Sequence, residues 1–208
     1  RPWRRRQGLT SSKVTPMSTL NLVPGRLAVA DLRRLWSESM ALAVDPAAKP
    51  AVDAAAQAVD RVIASGRTVY GVNTGFGLLA RTRIDDTRLA ELQRALVLSH
   101  SAGTGSLLDD AVVRIVIALK AASLARGHSG IRWSVIEALV ALANAGIVPC
   151  IPAQGSVGAS GDLAPLAHIA LVMIGEGEAE IGGKTASGEQ AIRRAGIKPL
   201  VLQAKEGL

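Results

Sequence analysis

The sequence predicts a mainly helical protein with very little β-structure. Apolar residues recur at helical spacing in several long segments, whereas the segments that favour an extended chain are short. Strand and helix patterns do not alternate and no internal repeat occurs, so a regular parallel α/β sheet is not expected. Glycine-rich segments separate the predicted helices, and such loops can carry function.

Six segments have the pattern of helices. Residues 51–65 are alanine-rich with one apolar face, and residues 86–99 carry a stripe of leucines. Residues 109–125 open with two acids, which a helix N-terminus favours, and are then apolar on nearly all sides, which predicts a central buried helix. Further helices are expected at 134–145, 162–175 and 189–195, and extended chain only around Thr68–Val69 and Ile181.

Composition excludes several classes of protein. Of the 208 residues, 49% are hydrophobic, which excludes wholesale disorder, and only 2% are aromatic, which disfavours stacking on single-stranded nucleic acid. The single cysteine, Cys150, excludes an intrachain disulfide and suits a reducing, cytoplasmic compartment. Charges interrupt the longest apolar run, so no membrane span is expected. The three histidines have no zinc-binding spacing, so no metal is expected.

The formal net charge of +7 is concentrated at the start of the chain. Residues 1–16 hold five bases and no acid, so the remainder carries only +2. Such a tail could be an arm for nucleic acid or membrane. The interpretation we favour is that Met17 is the start and that residues 1–16 are a non-native or disordered tail, with the domain in 18–208.

The glycine-rich segments do not fit common nucleotide or hydrolase motifs. They are 70–77, 99–105, 126–130 and 155–161. None has the Lys-Ser/Thr pair of a phosphate loop or the glycine order of a dinucleotide fold. Around Ser160 a hydrolase elbow fails, because Asp162 stands where glycine is needed.

The tripeptide Ala159-Ser160-Gly161 fits a different chemistry, self-cyclisation. Gly161 has no side chain, so its nitrogen can approach the carbonyl of Ala159, and Ser160 has a hydroxyl that can leave as water. The run GSVGASGDLAPLAH resembles the motif of the aromatic amino-acid ammonia-lyases and aminomutases. In that family the tripeptide forms 4-methylidene-imidazol-5-one (MIO), an electrophilic prosthetic group, and the resemblance implies that Asp162 helps to shape its turn.

A second motif lies 90 residues before Ser160. The run YGVNTGFG, which begins at Tyr70, resembles the family loop whose tyrosine is the catalytic base, and Tyr70 is the only tyrosine of the chain. A free tyrosine has a pKa of about 10, so its surroundings must activate it at neutral pH. With both motifs in family order, the resemblance implies that Tyr70 and Ser160 are catalytic.

A third motif concerns the substrate. Family members that select phenylalanine tend to carry Phe-Leu after the corresponding helix, those that select tyrosine His-Leu, and those that select histidine Ser-His. Here the pair is Ser99-His100, which resembles the histidine-selective members and implies substrate binding by both residues. An imidazole substrate needs polar partners, which a phenyl-binding pocket lacks.

The resemblance implies the fold and the reaction together. The fold would be the N-terminal part of the helical ammonia-lyase fold, with glycine-rich active-site loops. The reaction would convert L-histidine to trans-urocanate and ammonia, the first step of histidine degradation, with attack on MIO by the amine or by the imidazole ring. No diffusible cofactor is implied. Family members are homotetramers whose sites combine three subunits.

Family members are more than twice as long as this chain. We therefore expect residues 18–208 to be the front part of a longer subunit, with the central helical bundle missing and little or no activity alone.

Two alternatives remain from the sequence. One is a related MIO lyase or aminomutase acting on tyrosine or phenylalanine, against which Ser99-His100 argues. The other is a non-catalytic helical binding module with a basic arm, whose nucleic-acid affinity would fall steeply with salt. The second alternative leaves the joint occurrence of the three motifs unexplained.

Overall fold

The computed structural model, which describes residues 18–76, 80–156 and 163–207, confirms a mainly helical chain. Six of its seven α-helices lie where the sequence predicts them. The helices are α1 (Val29–Ser37), α2 (Lys49–Ala64), α3 (Leu89–His100), α4 (Asp110–Leu124), α5 (Trp133–Asn144), α6 (Leu163–Met173) and α7 (Gly188–Arg194), with 3-10 turns at Pro46–Ala48 and Asp86–Arg88. Helix α1 was not predicted, because Leu35 is its only buried residue and gives no periodic pattern.

Short strands are more numerous than the sequence predicts. They are β1 (Ser18–Leu22), β2 (Met40–Val44), β3 (Thr104–Leu107), β4 (Ile147–Pro149), β5 (Pro152–Gln154), β6 (Glu178–Ile181) and β7 (Lys184–Ser187). β1 and β2 pair in parallel, β3 pairs with β5 antiparallel, and β4, β6 and β7 form an antiparallel sheet. Ile181 is in a strand as expected, but Thr68–Val69 is not, so that prediction is wrong.

Helix α4 lies at the centre of the core, as its apolar pattern predicts. Val113, Ile117, Ala118 and Ala121 have no exposed surface, and α4 packs against α1, α5, β1, β2 and β4. Leu119 is an apolar residue of α4 that is not buried, since 44% of its surface is exposed. Within the described ranges, no helix is both long enough and apolar enough to cross a membrane.

The side chain of Asn144 ties the end of α5 to the parallel strand pair. Its Oδ1 accepts the N–H of Leu42 at 2.7 Å, and its Nδ2 donates to the carbonyl of Leu42 at 2.9 Å. Both backbone groups belong to β2, which has β1 on its other edge. Asn144 therefore supplies the hydrogen bonds that a third strand would otherwise make.

Pairing of β3 with β5 joins two of the glycine-rich segments. Thr104 lies opposite Gln154, so the segment 99–105 runs beside the residues that lead into 155–161. The backbones are close at this point: a β-carbon on Gly155 would lie only 3.0 Å from the α-carbon of Gly103. A side chain on Gly155 would force the neighbouring backbone to move, so glycine favours this close approach.

We predict that Asn144→Ala lowers the free energy of unfolding by about 1–3 kcal/mol, because it leaves a partly buried N–H and carbonyl of β2 without partners. Urea denaturation followed by tryptophan fluorescence measures the change. The matched control is Asn21→Ala on the exposed face of β1, for which we expect a change within about 0.5 kcal/mol. Equal effects of the two substitutions would contradict the assignment.

Candidate active site

The only tyrosine of the chain stands exposed on a tight turn. Tyr70 is 63% exposed, and its ring packs edge-to-face on Phe76 with 5.6 Å between centroids. The next residue, Gly71, has a φ of +72°, a conformation that glycine adopts without strain. The turn thus directs the one tyrosine toward solvent, where a ligand could reach it.

Two fully buried polar side chains hold this turn. Asn73 Oδ1 accepts the N–H of Val69 at 2.8 Å, while its Nδ2 donates to the carbonyl of Arg67 at 2.8 Å. Thr74 Oγ1 accepts the N–H of Gly71 at 3.3 Å. Since Asn73 and Thr74 are 0% and 1% exposed, these bonds are shielded from water and fix the backbone on both sides of Tyr70.

Ser99 and His100 form the end of α3, and their hydrogen bonds decide which ring nitrogen is free. His100 Nδ1 lies 2.7 Å from the carbonyl oxygen of Leu96. A carbonyl only accepts, so Nδ1 carries the proton, and Nε2 has no hydrogen-bond partner in the part of the chain that the structure describes. Ser99 Oγ donates to the same carbonyl at 2.9 Å and lies 3.2 Å from His100 Nδ1, which helps to orient the ring.

Four of the predicted site residues lie outside the described residues: Ala159, Ser160, Gly161 and Asp162. The structure does describe the chain that leads into and out of this segment. A β-carbon on Gly155 would lie 3.1 Å from the β-carbon of Ala164. The residues that flank this segment are therefore neighbours in space.

The 101–105 loop is attached to the first turns of α6. The N–H of Gly103 donates to His168 Nε2 at 3.3 Å. His168 must accept here, so it is neutral and carries its proton on Nδ1. Burial lowers the pKa of His168, which favours this neutral form.

A cavity of about 80 Å³ opens between α4, α5 and α6, and its wall is mainly apolar. His100, Lys120 and Glu206 are the polar residues that line it, and Leu163 and Leu166 of α6 contribute apolar surface. Burial lowers the pKa of Lys120, because an ammonium group is poorly solvated there. His100 therefore stands at the edge of a small water-poor space that begins where α6 begins.

The end of the described chain is fixed by an ion pair between the buried Glu206 and the half-buried Arg132. Glu206 has a side chain that is 1% exposed, and it accepts from Arg132 Nε at 2.8 Å and from the guanidinium Nη2 at 2.6 Å. This hydrogen bonding raises the pKa of Arg132. Gly207 N–H donates to the Oε1 of Gln93, a buried residue of α3, at 2.8 Å. Residues 203–207 are thus held against α3 and the start of α5.

Several residues that build this site were not singled out from the sequence. Asn73, Gln93 and Glu206 contribute through contacts with residues that are distant in sequence or buried in the fold. The one signal in the sequence is a polar residue inside an apolar stretch, such as Gln93. The described residues hold no group of three or more potential metal ligands. Burial, followed by Glu180 and Glu178, raises the pKa of the Cys150 thiol, so it is not an activated nucleophile.

The sequence model of the family described as "aromatic amino acid lyase" matches residues 27–208. The chain belongs to this family. The tyrosine turn, the Ser99-His100 pair and the 155–161 segment all lie within the match.

Individual relatives agree with the family assignment. Histidine ammonia-lyases of Salmonella typhimurium and Salmonella paratyphi B are 55% identical over 192 residues, a match that covers 92% of this chain and 38% of theirs. This aromatic amino acid lyase chain thus spans about 38% of the length of the curated relatives that it matches.

Solved structures show the same fold. Histidine ammonia-lyase from Trypanosoma cruzi has a TM-score of 0.81 at 36% identity, over 91% of this chain and 37% of the other. The ergothioneine-degrading enzyme from Treponema denticola has a TM-score of 0.87 at 30% identity, over 91% and 38%. Tyrosine aminomutase from Streptomyces globisporus has a TM-score of 0.83 at 34% identity, over 91% and 36%. The helical ammonia-lyase fold predicted from the sequence is confirmed.

We predict that His168 makes the stability of this lyase chain depend on pH. The folded pKa lies below the unfolded value of about 6.5, so the unfolded chain binds the proton more readily. The stabilisation is fully present above the unfolded pKa and is lost as the pH falls from there through the lower folded pKa. His168→Gln keeps an acceptor but cannot titrate, so unfolding free energies from urea titrations should fall less steeply between about pH 7 and about pH 5.

The exposed His128 offers the matched control for this slope. We expect His128→Gln to leave the pH dependence as it is in the parent chain. A His168→Gln variant with the parent's slope would show that His168 titrates normally in the folded state.

Proposed function

We propose that this chain carries part of the active site of a histidine ammonia-lyase, which deaminates L-histidine to trans-urocanate and ammonia without oxidation. The observation that carries the proposal is the state of His100. Its Nδ1 donates to the Leu96 carbonyl, its Nε2 has no hydrogen-bond partner within the described residues, and it borders a cavity that α6 lines from Leu163 to Met173. The 55% identity to histidine ammonia-lyases supports the same substrate.

The prosthetic group MIO would form from Ala159, Ser160 and Gly161. The residues on either side of this tripeptide are compatible with such a group, because Gly155 and Ala164 are neighbours in space. This proximity favours the compact turn that ring closure between residues 159 and 161 requires. Asp162 would help to hold that turn. When present, the group supplies an electrophilic carbon that activates the amine of the substrate for elimination.

Tyr70 is the residue we assign as the base. It would take a proton from the β-carbon of the substrate at its phenolic oxygen, which needs an exposed ring on a rigid support. The exposure of Tyr70 and the buried bonds of Asn73 and Thr74 meet both requirements. Holding a base in a fixed geometry lowers the entropic cost of proton transfer.

His100 and Ser99 are assigned to substrate binding. In the neutral ring, the proton that Nδ1 donates to Leu96 leaves Nε2 as the acceptor, and Nε2 can then accept the N–H of a substrate imidazole. Ser99 orients the His100 ring from the same helical turn. A phenyl ring has no N–H to donate, so binding it would leave His100 Nε2 without a hydrogen-bond partner. His100 therefore discriminates an imidazole from a phenyl ring.

The wider parts of the proposal follow from the family. We propose a homotetramer, a cytoplasmic location and a place at the first step of histidine degradation. MIO is then the only cofactor, and neither a metal nor nucleic acid takes part.

One observation favours a second class of substrate, namely aromatic amino acids such as tyrosine or phenylalanine. The similar structures include a tyrosine aminomutase and an ergothioneine-degrading enzyme, with TM-scores of 0.83 and 0.87. The same fold therefore hosts aromatic substrates other than histidine in those proteins. A panel of histidine, tyrosine and phenylalanine offered to the product of the complete gene separates these candidates.

We predict that the product of the complete gene releases urocanate from L-histidine, measured by ultraviolet absorbance. Tyr70→Phe should lower kcat by about 10²–10⁴-fold, because it removes the proton acceptor. Ser160→Ala should abolish the reaction, because alanine has no leaving group on its β-carbon.

Two controls make this experiment decisive. The intact mass of the active protein should be lower by two waters, and Ser160→Ala should lack that loss. Thr87→Val, an exposed position away from the turn, should leave kcat unchanged. Unchanged turnover in Tyr70→Phe would refute the base assignment, and release of a different product from another amino acid would refute histidine as the substrate.

A further inference from the structure

One face of helix α6 lies against the two glycine backbones that approach each other closely. Ala164 and His168 are one helical turn apart and therefore share this face. A β-carbon on Gly155 would lie 3.1 Å from the β-carbon of Ala164. A β-carbon on Gly103 would lie 3.1 Å from Nε2 of His168. From its place on α6, His168 thus contacts the chain that follows α3.

The turn of residues 101–103 follows His100 and is fastened to α6. Ala102 N–H donates to the carbonyl of His100 at 2.8 Å, a bond that stays within the turn. The next N–H, that of Gly103, donates to His168 Nε2 at 3.3 Å. Among the side chains that the structure describes, His168 is the only one from another element that hydrogen-bonds to this turn.

The ring of His100 depends on support from beyond its own helix. Its Nδ1 bonds to the carbonyl of Leu96 and lies near the hydroxyl of Ser99, and both of these residues belong to the last turns of α3. The last turn of a helix frays readily, since its final carbonyls have no partners within the helix. The bond between Gly103 and His168 therefore holds the end of α3 from the far side.

His100 and α6 form two sides of the same cavity. The cavity of about 80 Å³ is bordered by His100 and by residues of α6 that include Leu166 and Ala170. His168 is not among the described residues that line it, so His168 does not form the wall that a ligand would meet. What His168 sets is the separation between its own helix and the chain that follows His100.

We propose that His168 is a positioning residue for His100. By accepting the N–H of Gly103, it holds the turn after His100 against α6 and so fixes where the His100 ring stands at the edge of the cavity. A ring that is already fixed binds the substrate imidazole without the entropic cost of being ordered on binding. This inference rests on the proposed function, in which His100 binds the substrate.

Steady-state kinetics of the complete gene product test this role. We expect His168→Leu, which has no acceptor, to raise the KM for L-histidine by about 5–10-fold and to leave kcat within about twofold, because looser ordering of His100 weakens substrate and transition state alike. His168→Gln should keep the parent's KM, since its side-chain oxygen can accept the N–H of Gly103. A merely structural residue would lower the fraction of active enzyme, and hence kcat, at constant KM. An unchanged KM in His168→Leu would overturn the proposal.

A double-mutant cycle tests whether His168 acts through His100. In the His100→Ala enzyme, His168→Leu should raise KM no further, because the ring that it positions is gone. The same fold-change with and without the His100 ring would contradict the proposal. If circular dichroism shows that His168→Leu does not fold, His168→Asn replaces it, since the shorter amide does not reach Gly103. A raised KM in that variant supports the proposal, and the parent's KM contradicts it.

The matched control is His128→Leu, because it makes the same substitution at an exposed histidine. We expect this variant to keep both the KM and the kcat of the parent enzyme. A rise in KM as large as that of His168→Leu would show that the effect does not come from the bond to Gly103.

Hydrogen exchange of the complete gene product separates this inference from the proposed function. Mass spectrometry of peptides that span residues 101–105 should show the Gly103 amide exchanging about 5–10-fold faster in His168→Leu and at the parent's rate in His168→Gln. Unchanged exchange in His168→Leu overturns the proposal whatever the substrate is. If histidine is not turned over at all, the proposed function fails, while the exchange rate still reports whether His168 holds this turn.

Discussion

Close approach of the Gly103 and Gly155 backbones is the constraint on which the candidate site depends. At this point β3 and β5 pair, although each is only a few residues long and neither is stable alone. The contact places the loop after His100 beside the segment that leads to Ala159. Ala164 of α6 packs at the same place, so the two flanks of that segment are held together.

A second set of contacts holds the tyrosine turn, and no described contact joins that turn to Gly103, Gly155 or His100. The turn is held from within by buried hydrogen bonds of Asn73 and Thr74, and from outside by residues 203–207. Those residues are in turn fixed by the Glu206–Arg132 pair, which would be costly to break because the buried Glu206 carboxylate would be left without its partner. The polar groups of the site thus lie on rigid supports, as catalysis requires.

The sequence predicts the helices well because their apolar faces repeat along the chain, as in α2 and α4. It misses most strands because each has three to five residues and is stabilised by a distant partner. Thr68–Val69 looks extended, but the N–H of Val69 donates to the Asn73 side chain and not to a strand. The Tyr70 and Ser99-His100 motifs could be recognised from sequence, whereas Glu206 and His168 acquire their places only through the folded chain.

Replacing Gly155 by valine tests whether the close approach of Gly103 and Gly155 is needed for MIO to form, with the intact mass of the complete gene product as the measurement. The β-carbon would meet the α-carbon of Gly103 at 3.0 Å, so β3 and β5 should separate and the loss of two waters should disappear while the helical circular dichroism remains. The matched control is Ala153→Val at an exposed position of β5, which should keep the lower mass. A folded Gly155→Val protein that loses two waters as completely as the parent would contradict the account.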